Sequence, residues 1–168
     1  CYSLTSIPML DTSNVTNMNS MFSNCYSLTS IPMLDTSNVT NMSGMFEQCC
    51  SLTSIPQLDT SKVTNMSTAF LRVTSLTTIN SVLDISLISS AIYMAYMPSL
   101  IDIKIKNLKV NYAVADSSFF SKESILFIIN NEAATSAITI TLASYAYNKW
   151  ATDPDIVAAL ANHPNVSI

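Results

Sequence analysis

The sequence has little charge, one histidine and one glycine, and these shortages exclude several classes of function. Charged residues make up 11% of the 168 residues, and the net charge is −4. Because no basic field is available to hold phosphates, nucleic acid is not an expected partner. No apolar run reaches the length of about 18 residues that a spanning helix needs, so no membrane span is expected here.

The sequence also lacks the residue patterns of an active site. His163, the single histidine, lies between Asn162 and Pro164, away from any serine or cysteine motif that it could serve as a base. Glycoside cleavage needs two carboxylates in different environments, whereas the aspartates of this chain recur in identical surroundings. We therefore expect a protein that is not an enzyme and that uses no cofactor.

The four cysteines could indicate a secreted disulfide scaffold or a metal site. Cys1, Cys25 and Cys49 instead recur at one repeat position, where a free cysteine is a small, readily buried hydrophobe. The adjacent Cys49 and Cys50 make a poor pair, because neighbouring side chains diverge in an extended chain. No histidine or cysteine lies at ligand spacing for zinc. The pattern favours packing.

What the sequence does contain is repetition. Residues 1–18 read CYSLTSIPMLDTSNVTNM, and residues 25–42 repeat them letter for letter. A third copy, CSLTSIPQLDTSKVTNM, runs from Cys50 to Met66, and divergent units begin at Val73 and Met97. Because Cys1 opens in the middle of the pattern, we expect further repeats and any targeting segment upstream. The predicted units are 1–24, 25–48, 49–72, 73–96 and 97–120.

Within one unit the apolar spacing fits neither a long helix nor one alternating strand. The pattern predicts a short extended stretch with Ile7 inward, which Pro8 limits by removing a ladder donor. Asp11, Thr12 and Ser13 should turn the chain, and residues 17–22 have room for one turn of α or 3₁₀ helix. Each unit can close its core only by stacking on a neighbour.

The motifs CxxLxxI and LDTSNVTNMxxMF resemble the BspA-like class of leucine-rich repeats, found in surface proteins of gut bacteria and mycoplasmas. The resemblance is strong from Cys1 to Phe70 and weak from Val73 to Phe120. It implies an α/β solenoid, a right-handed coil with a short-stranded parallel sheet on one face and short helix or 3₁₀ turns on the other. It also implies adhesion or interaction at a cell surface.

The C-terminal part, 121–168, is predicted to cap the stack, and its sequence resembles the terminal module that often follows such repeats. Ser121 is a good N-cap for a helix from about Lys122 to Ala133. The alternation of 137–142 predicts a half-buried strand that extends the sheet, with Ile138, Ile140 and Leu142 inward. Asp153 and Pro154 should begin a second helix through about Asn162, followed by a short strand at 166–168.

Three sets of recurring side chains could suggest chemistry, and each also has a structural explanation. Asp11, Asp35 and Asp59 could line up as a calcium site, but an Asp before Thr-Ser favours capping of a turn. The asparagine files are expected to form amide ladders between repeats. The methionines could form a binding groove, but several recur at positions expected in the core: Met18, Met21, Met42, Met45 and Met66.

The predicted binding face is the outer surface of the sheet, where residues of successive strands align. One file is Ser6, Ser30, Ser54, Thr78 and Asp102. The neighbouring file is Pro8, Pro32, Pro56, Asn80 and Lys104. The patch of most varied chemistry consists of Asp102, Lys104 and Lys106. Tyr93 and Tyr96 are nearby in sequence. The favoured interpretation of this patch is a set of solvated strand ends beside the cap, and the alternative is a site of ligand contact.

The leading functional hypothesis is a non-catalytic adhesion module, expected to be a monomer at a cell surface or outside the cell. Its partner would be a protein, a matrix component or a glycan on another cell. The alternatives are a phage or virion appendage that binds a receptor or serves as a spacer, and a purely structural stalk. The uniform uncharged files of the first three repeats favour many weak contacts over tight recognition of one charged ligand.

Overall fold

We describe a computed structural model of the chain over residues 1–89, 92–107, 112–114, 121–130, 138–142 and 144–168. Six strands pair in parallel as two three-stranded sheets, with the orders β1-β2-β3 and β4-β5-β6. The elements are β1 Ser54–Ile55, β2 Thr78–Asp84, β3 Asp102–Lys106, β4 Tyr112–Val114, α1 Lys122–Asn130, β5 Ile138–Leu142, α2 Ser144–Trp150, α3 Pro154–Asn162 and β6 Val166–Ser167.

The 24-residue sequence period reappears as contacts between neighbouring repeats. In the first sheet Ser54 pairs with Thr78, and Thr78 pairs with Asp102. Parallel bridges also join Asn17 to Asn41 and Asn41 to Asn65. Equivalent residues of successive repeats therefore lie side by side.

The core consists of files of buried side chains at the same position of each repeat. Phe22, Phe46 and Phe70 stack with ring centroids 5.9 and 5.8 Å apart. Cys25 and Cys49 are buried and free, and the Cys49 Sγ donates to the Phe22 carbonyl at 3.0 Å. Burial raises the pKa of the Cys49 thiol to about 12. The prediction that the recurring cysteines pack the core is confirmed for Cys25 and Cys49 and is wrong for Cys1, which is exposed.

The segment after each extended stretch is a series of single turns. The Met21 N–H donates to the Met18 carbonyl at 3.2 Å, and the Cys25 N–H donates to the Phe22 carbonyl at 3.1 Å. Ser20 has φ 56° and the equivalent Gly44 has φ 63°. Because a left-handed residue interrupts a right-handed helix, the helical or 3₁₀ turn predicted for residues 17–22 is wrong.

Within the fourth repeat the strand register shifts near Ser81: Leu83 and Asp84 lie 25 residues after Leu58 and Asp59, and β2 moves by two residues against β3. The Ser81 side chain is buried, and its Oγ accepts from the Leu58 N–H at 2.6 Å and donates to the Pro56 carbonyl at 3.4 Å. The pairing of β2 with β3 is irregular after Thr78, so that Val82 lies opposite Lys104. The prediction that Asn80 and Lys104 share one file is therefore wrong.

The cap begins as the sequence predicts. The Ser121 Oγ accepts from the Ser124 N–H at 3.1 Å, and α1 follows. The predicted extension of this helix to Ala133 lies outside the described residues. Strand β5 pairs with β4 and β6 rather than with the first sheet. The prediction that β5 extends that sheet is therefore wrong, and the inward orientation predicted for its side chains lies outside the described side chains.

The end of the cap also follows the sequence, with one additional element. The Asp153 Oδ1 accepts from the Asp155 N–H at 3.0 Å and from the Ile156 N–H at 3.4 Å, and α3 begins at Pro154. The Lys122 Nζ lies 2.9 Å from the Asp153 Oδ1, which ties the two helices together. Helix α2 was not anticipated, because its seven residues show no clear apolar spacing.

Threonines at one repeat position clamp neighbouring repeats, which yields a prediction. The Thr36 Oγ1 accepts from the Asp59 N–H at 2.7 Å and donates to the Asp59 carbonyl at 3.0 Å. Thr36→Val should lower the free energy of unfolding by about 1 kcal/mol in urea denaturation, because it removes both bonds. Thr12 is equally buried, but its Oγ1 has no partner, so Thr12→Val is the matched control with no expected loss. Equal losses from both changes would contradict the clamp.

Candidate interaction surface

In the first file of the predicted face, Ser54, Thr78 and Asp102 lie on strands β1, β2 and β3, whereas Ser6 and Ser30 lie outside the strands. Ser30 and Ser54 are exposed, and Ile31 and Ile55, which follow them, are buried. Ser6 is exposed in the same way, whereas Thr78 and Asp102 are half-buried. In the second file Pro8, Asn80 and Lys104 are exposed, while Pro32 and Pro56 are half-buried.

Two charged residues of the predicted patch are engaged within the protein. The Asp102 Oδ1 accepts from the Ser124 Oγ at 2.6 Å, and the same Oγ accepts from the Ile103 N–H at 3.0 Å. Asp102 therefore joins β3 to α1. The Lys106 Nζ lies 3.1 Å from the Asp84 Oδ2.

The tyrosines of the predicted patch belong to the turn segment that precedes β3. Tyr93 and Tyr96 are both exposed, and the Tyr93 N–H donates to the Ser67 carbonyl at 2.7 Å. The Arg72 guanidinium lies 5.1 Å from the centre of the Tyr96 ring. These contacts tie the tyrosines to the third repeat. The charged residues contact other parts of the protein, since Asp102 contacts α1 and Lys106 contacts Asp84.

The recurring aspartates cap turns, as predicted. The Asp59 Oδ1 accepts from the Ser61 N–H at 2.9 Å and from the Ser61 Oγ at 2.7 Å. Asp11 and Asp35 make the same pair of bonds with the serine two residues later. These hydrogen bonds, first the one from the serine hydroxyl, hold the pKa of each of the three carboxyls below its usual value.

Asp84 is a fourth member of this file that the sequence analysis missed, because the shift near Ser81 displaces it by one position. The signal was present in the Leu-Asp-Ile-Ser of residues 83–86, which resembles the Leu-Asp-Thr-Ser of the earlier repeats. Burial alone would raise the pKa of Asp84, but hydrogen bonds from Asn107, Ser86 and Lys106 outweigh it and hold the pKa at about 2.

The asparagine files differ from the prediction. The Asn17 Oδ1 accepts from the Asn19 N–H at 2.9 Å, within its own repeat, and Asn41 and Asn65 behave alike. These side chains cap turns, so the predicted amide ladder at this position is wrong. Asn38 does bond between repeats, since its Nδ2 donates to the Ser13 carbonyl at 2.9 Å.

An open groove of about 380 Å³ crosses the second to fifth repeats at the turns that follow the strands. Met33 (56% exposed) and Val82 (42% exposed) supply apolar surface beside the file of aspartates. Met18, Met42, Met45 and Met66 are buried as predicted, whereas Met21 is 38% exposed, which corrects its assignment to the core. The groove is lined by Met33, Leu34, Asp35, Thr36, Ser37, Gln57, Leu58, Asp59, Thr60, Ser61, Val82, Asp84 and Lys106.

The sequence analysis missed this groove because it considered five methionines expected in the core and assigned no role to Met9 or Met33. Met9 and Met33 occupy the same repeat position, next to the outward-facing proline, and both are exposed. The sequence did contain a signal for this groove, because the apolar Met9 and Met33 recur beside positions that are predicted to face outward. Within the described ranges, no three histidine, cysteine, aspartate or glutamate side chains group closely enough to hold a metal ion, and no helix is long and apolar enough to span a membrane.

The depressed pKa of Asp84 gives a pH-dependent prediction. A carboxyl with a folded pKa of about 2 stabilises the protein above its unfolded pKa of 3.8, and this stabilisation is lost as the pH falls toward 2. When the pH drops from about 5 to about 2, we expect the free energy of unfolding of the unsubstituted protein to fall by about 1–2 kcal/mol more than that of Asp84→Asn. This range is set below the full value of the pKa shift because the Lys106 side chain is partly exposed to solvent. Denaturation curves over that range measure the difference, and parallel curves for the two proteins would contradict it.

Together these observations define a tandem-repeat protein whose successive repeats pair in parallel. The model of the family described as "Mycoplasma protein of unknown function, DUF285" matches residues 3–108, more than half of the chain, and the chain belongs to this family. No curated protein and no solved structure shows significant similarity to the chain.

Proposed function

We propose that the repeats form a right-handed, leucine-rich-repeat-like solenoid of the BspA-like type, and that it is a non-catalytic interaction module at a cell surface. Its partner would be a protein, a matrix component or a glycan. One observation carries this proposal: side chains at the same repeat position are exposed side by side along the molecule. Met9 (73% exposed) and Met33 (56%) lie close in sequence to the exposed Ser6 and Ser30.

The chemistry of this surface suits binding. Met9 and Met33 supply exposed apolar surface that a partner can bury. The hydroxyls of Ser6 and Ser30 can form hydrogen bonds to the same partner. Repetition of the same weak contact increases avidity without requiring a strong single site. The aspartates support a non-catalytic role, because Asp11, Asp35 and Asp59 each hold the serine of their own turn.

An array of glycans and matrix proteins, probed with the intact chain, tests the proposal. Ser30→Arg places a large cation on the proposed face and should lower binding to any array ligand at least tenfold, a change of about 1.4 kcal/mol. Asn14→Arg is the matched control, because the third repeat naturally carries a cation, Lys62, at that position. If the folded chain binds no array ligand, the proposal that the serine face binds a protein, matrix component or glycan fails, and a structural role is favoured for this face.

A further inference from the structure

The groove that crosses the second to fifth repeats has two open carboxylate oxygens. Asp35 and Asp59 each use Oδ1 for both bonds to the serine of their turn. In the described part of the chain, neither Oδ2 receives a hydrogen bond or an ion pair. Their lowered pKa keeps both groups ionised at neutral pH. The groove therefore presents two outward negative charges on neighbouring repeats.

At the far end of the same groove, the protein itself supplies the cation. The Lys106 Nζ lies 3.1 Å from the Asp84 Oδ2, the oxygen that remains open in Asp35 and Asp59. Lys62 is the other lysine close to the file, but its Nζ donates to the Asn38 Oδ1 at 2.9 Å instead. A lysine on the fourth aspartate thus shows how an ammonium group fits this position of the repeat.

The groove also has apolar surface beside its charges. Met33 and Val82 line it and keep 56% and 42% of their surface exposed. Lysine and arginine place an aliphatic stem on apolar surface while their charged ends reach polar groups. A stem over Met33 or Val82 with its cation at a carboxylate would use both properties of the groove.

We infer that this groove binds an extended segment of a partner protein that carries alternating lysine or arginine residues. Side chains on one side of an extended peptide are about 7 Å apart, and neighbouring strands of a sheet are about 4.8 Å apart. Long cationic side chains span that difference, so two alternate residues reach Asp35 and Asp59. The inference rests on the proposed interaction function and names the ligand class for one surface of it.

Fluorescence anisotropy with a labelled nine-residue peptide of alternating lysine and serine tests the inference at low salt. The intact chain should bind this peptide and should not bind an alternating glutamate-serine peptide. The double change Asp35→Asn and Asp59→Asn should weaken binding about threefold to tenfold, because each exposed ion pair contributes about 0.2–1 kcal/mol. Asn retains the side-chain oxygen that caps the turn.

Asp11→Asn is the matched control, because Asp11 makes the same turn bonds but does not line the groove. It should leave the affinity for the lysine peptide unchanged. Lys106→Gln acts in the opposite direction, since it frees the Asp84 Oδ2 and should tighten peptide binding by about twofold to threefold. This gain of binding keeps the inference testable even if the double variant unfolds.

Three results would overturn the inference: no binding of the lysine peptide, equal loss from Asp11→Asn, or weaker binding by Lys106→Gln. If the chain then still binds an array ligand that Ser30→Arg abolishes, only the cationic ligand class is refuted and the interaction function remains. If the lysine peptide binds the groove while every array ligand fails, the sheet face is refuted and the groove remains.

Discussion

Replacing Met45 by alanine is expected to lower the free energy of unfolding by about 2–5 kcal/mol, the range for truncating a large buried side chain. Met45 is fully buried, and its carbonyl accepts from the Phe22 N–H of the preceding repeat at 2.9 Å. Truncation leaves a cavity where two repeats meet, and the backbone bonds between them limit how far the structure can close it. Urea denaturation followed by circular dichroism measures the loss.

Met21 provides the control, because it occupies the same position one repeat earlier. It is 38% exposed, so Met21→Ala removes a side chain that is already partly in water and should cost less than about 1 kcal/mol. The two substitutions are identical in sequence terms and differ only in three-dimensional surroundings. Equal losses would show that the first repeat is as closely covered as the second, contrary to the structure.

Ser124→Ala is expected to cost about 2–3 kcal/mol, because it leaves buried polar groups without their partner. The Ser124 side chain is fully buried, and its Oγ lies 2.6 Å from the Asp102 Oδ1 and 3.0 Å from the Ile103 N. Without this hydroxyl, the end of the first sheet loses its polar connection to α1. The same denaturation assay should show the loss.

Ser3 is the matched control for this second prediction, since it is exposed and makes no hydrogen bond in the described part of the chain. Ser3→Ala should change the free energy of unfolding by less than about 0.5 kcal/mol. A similarly small effect of Ser124→Ala would mean that the cap is held by apolar contacts alone. Ile125, Ile128 and Ile129 of α1 would then carry the attachment.

These predictions also separate stability from binding. Met45 and Ser124 are buried and do not line the groove, and Ser124 contacts the first file of the predicted face through Asp102 alone, so substitution of either residue should affect ligand binding mainly through unfolding. Asp35 and Asp59 lie in the groove with an open oxygen each, so their substitution by asparagine should affect binding with little loss of fold. Loss of stability in the aspartate variants, or loss of binding by folded Met45 and Ser124 variants, would contradict the assignment of these residues to surface and core.

The sequence by itself determined the features that arise within a few residues of one another. The period, the inward Ile31 and Ile55, the capping of turns by Asp59 and the start of α3 after Asp153 all follow from local apolar spacing and from short side chains bonding to nearby backbone. Identical repeats make such local preferences consistent, because each copy specifies the same turn at the same place.

Only the tertiary structure decided the features that depend on contacts between repeats. The buried Ser81 shifts the register, which places Lys106 on Asp84 and separates Asn80 from Lys104. The exposure of Met33 and the burial of Met45 likewise depend on which neighbouring repeat covers each side chain. The physical reason is that register and burial are set by residues about one repeat away, so the two-residue shift of β2 against β3 changes the neighbours of every side chain that follows in the strand.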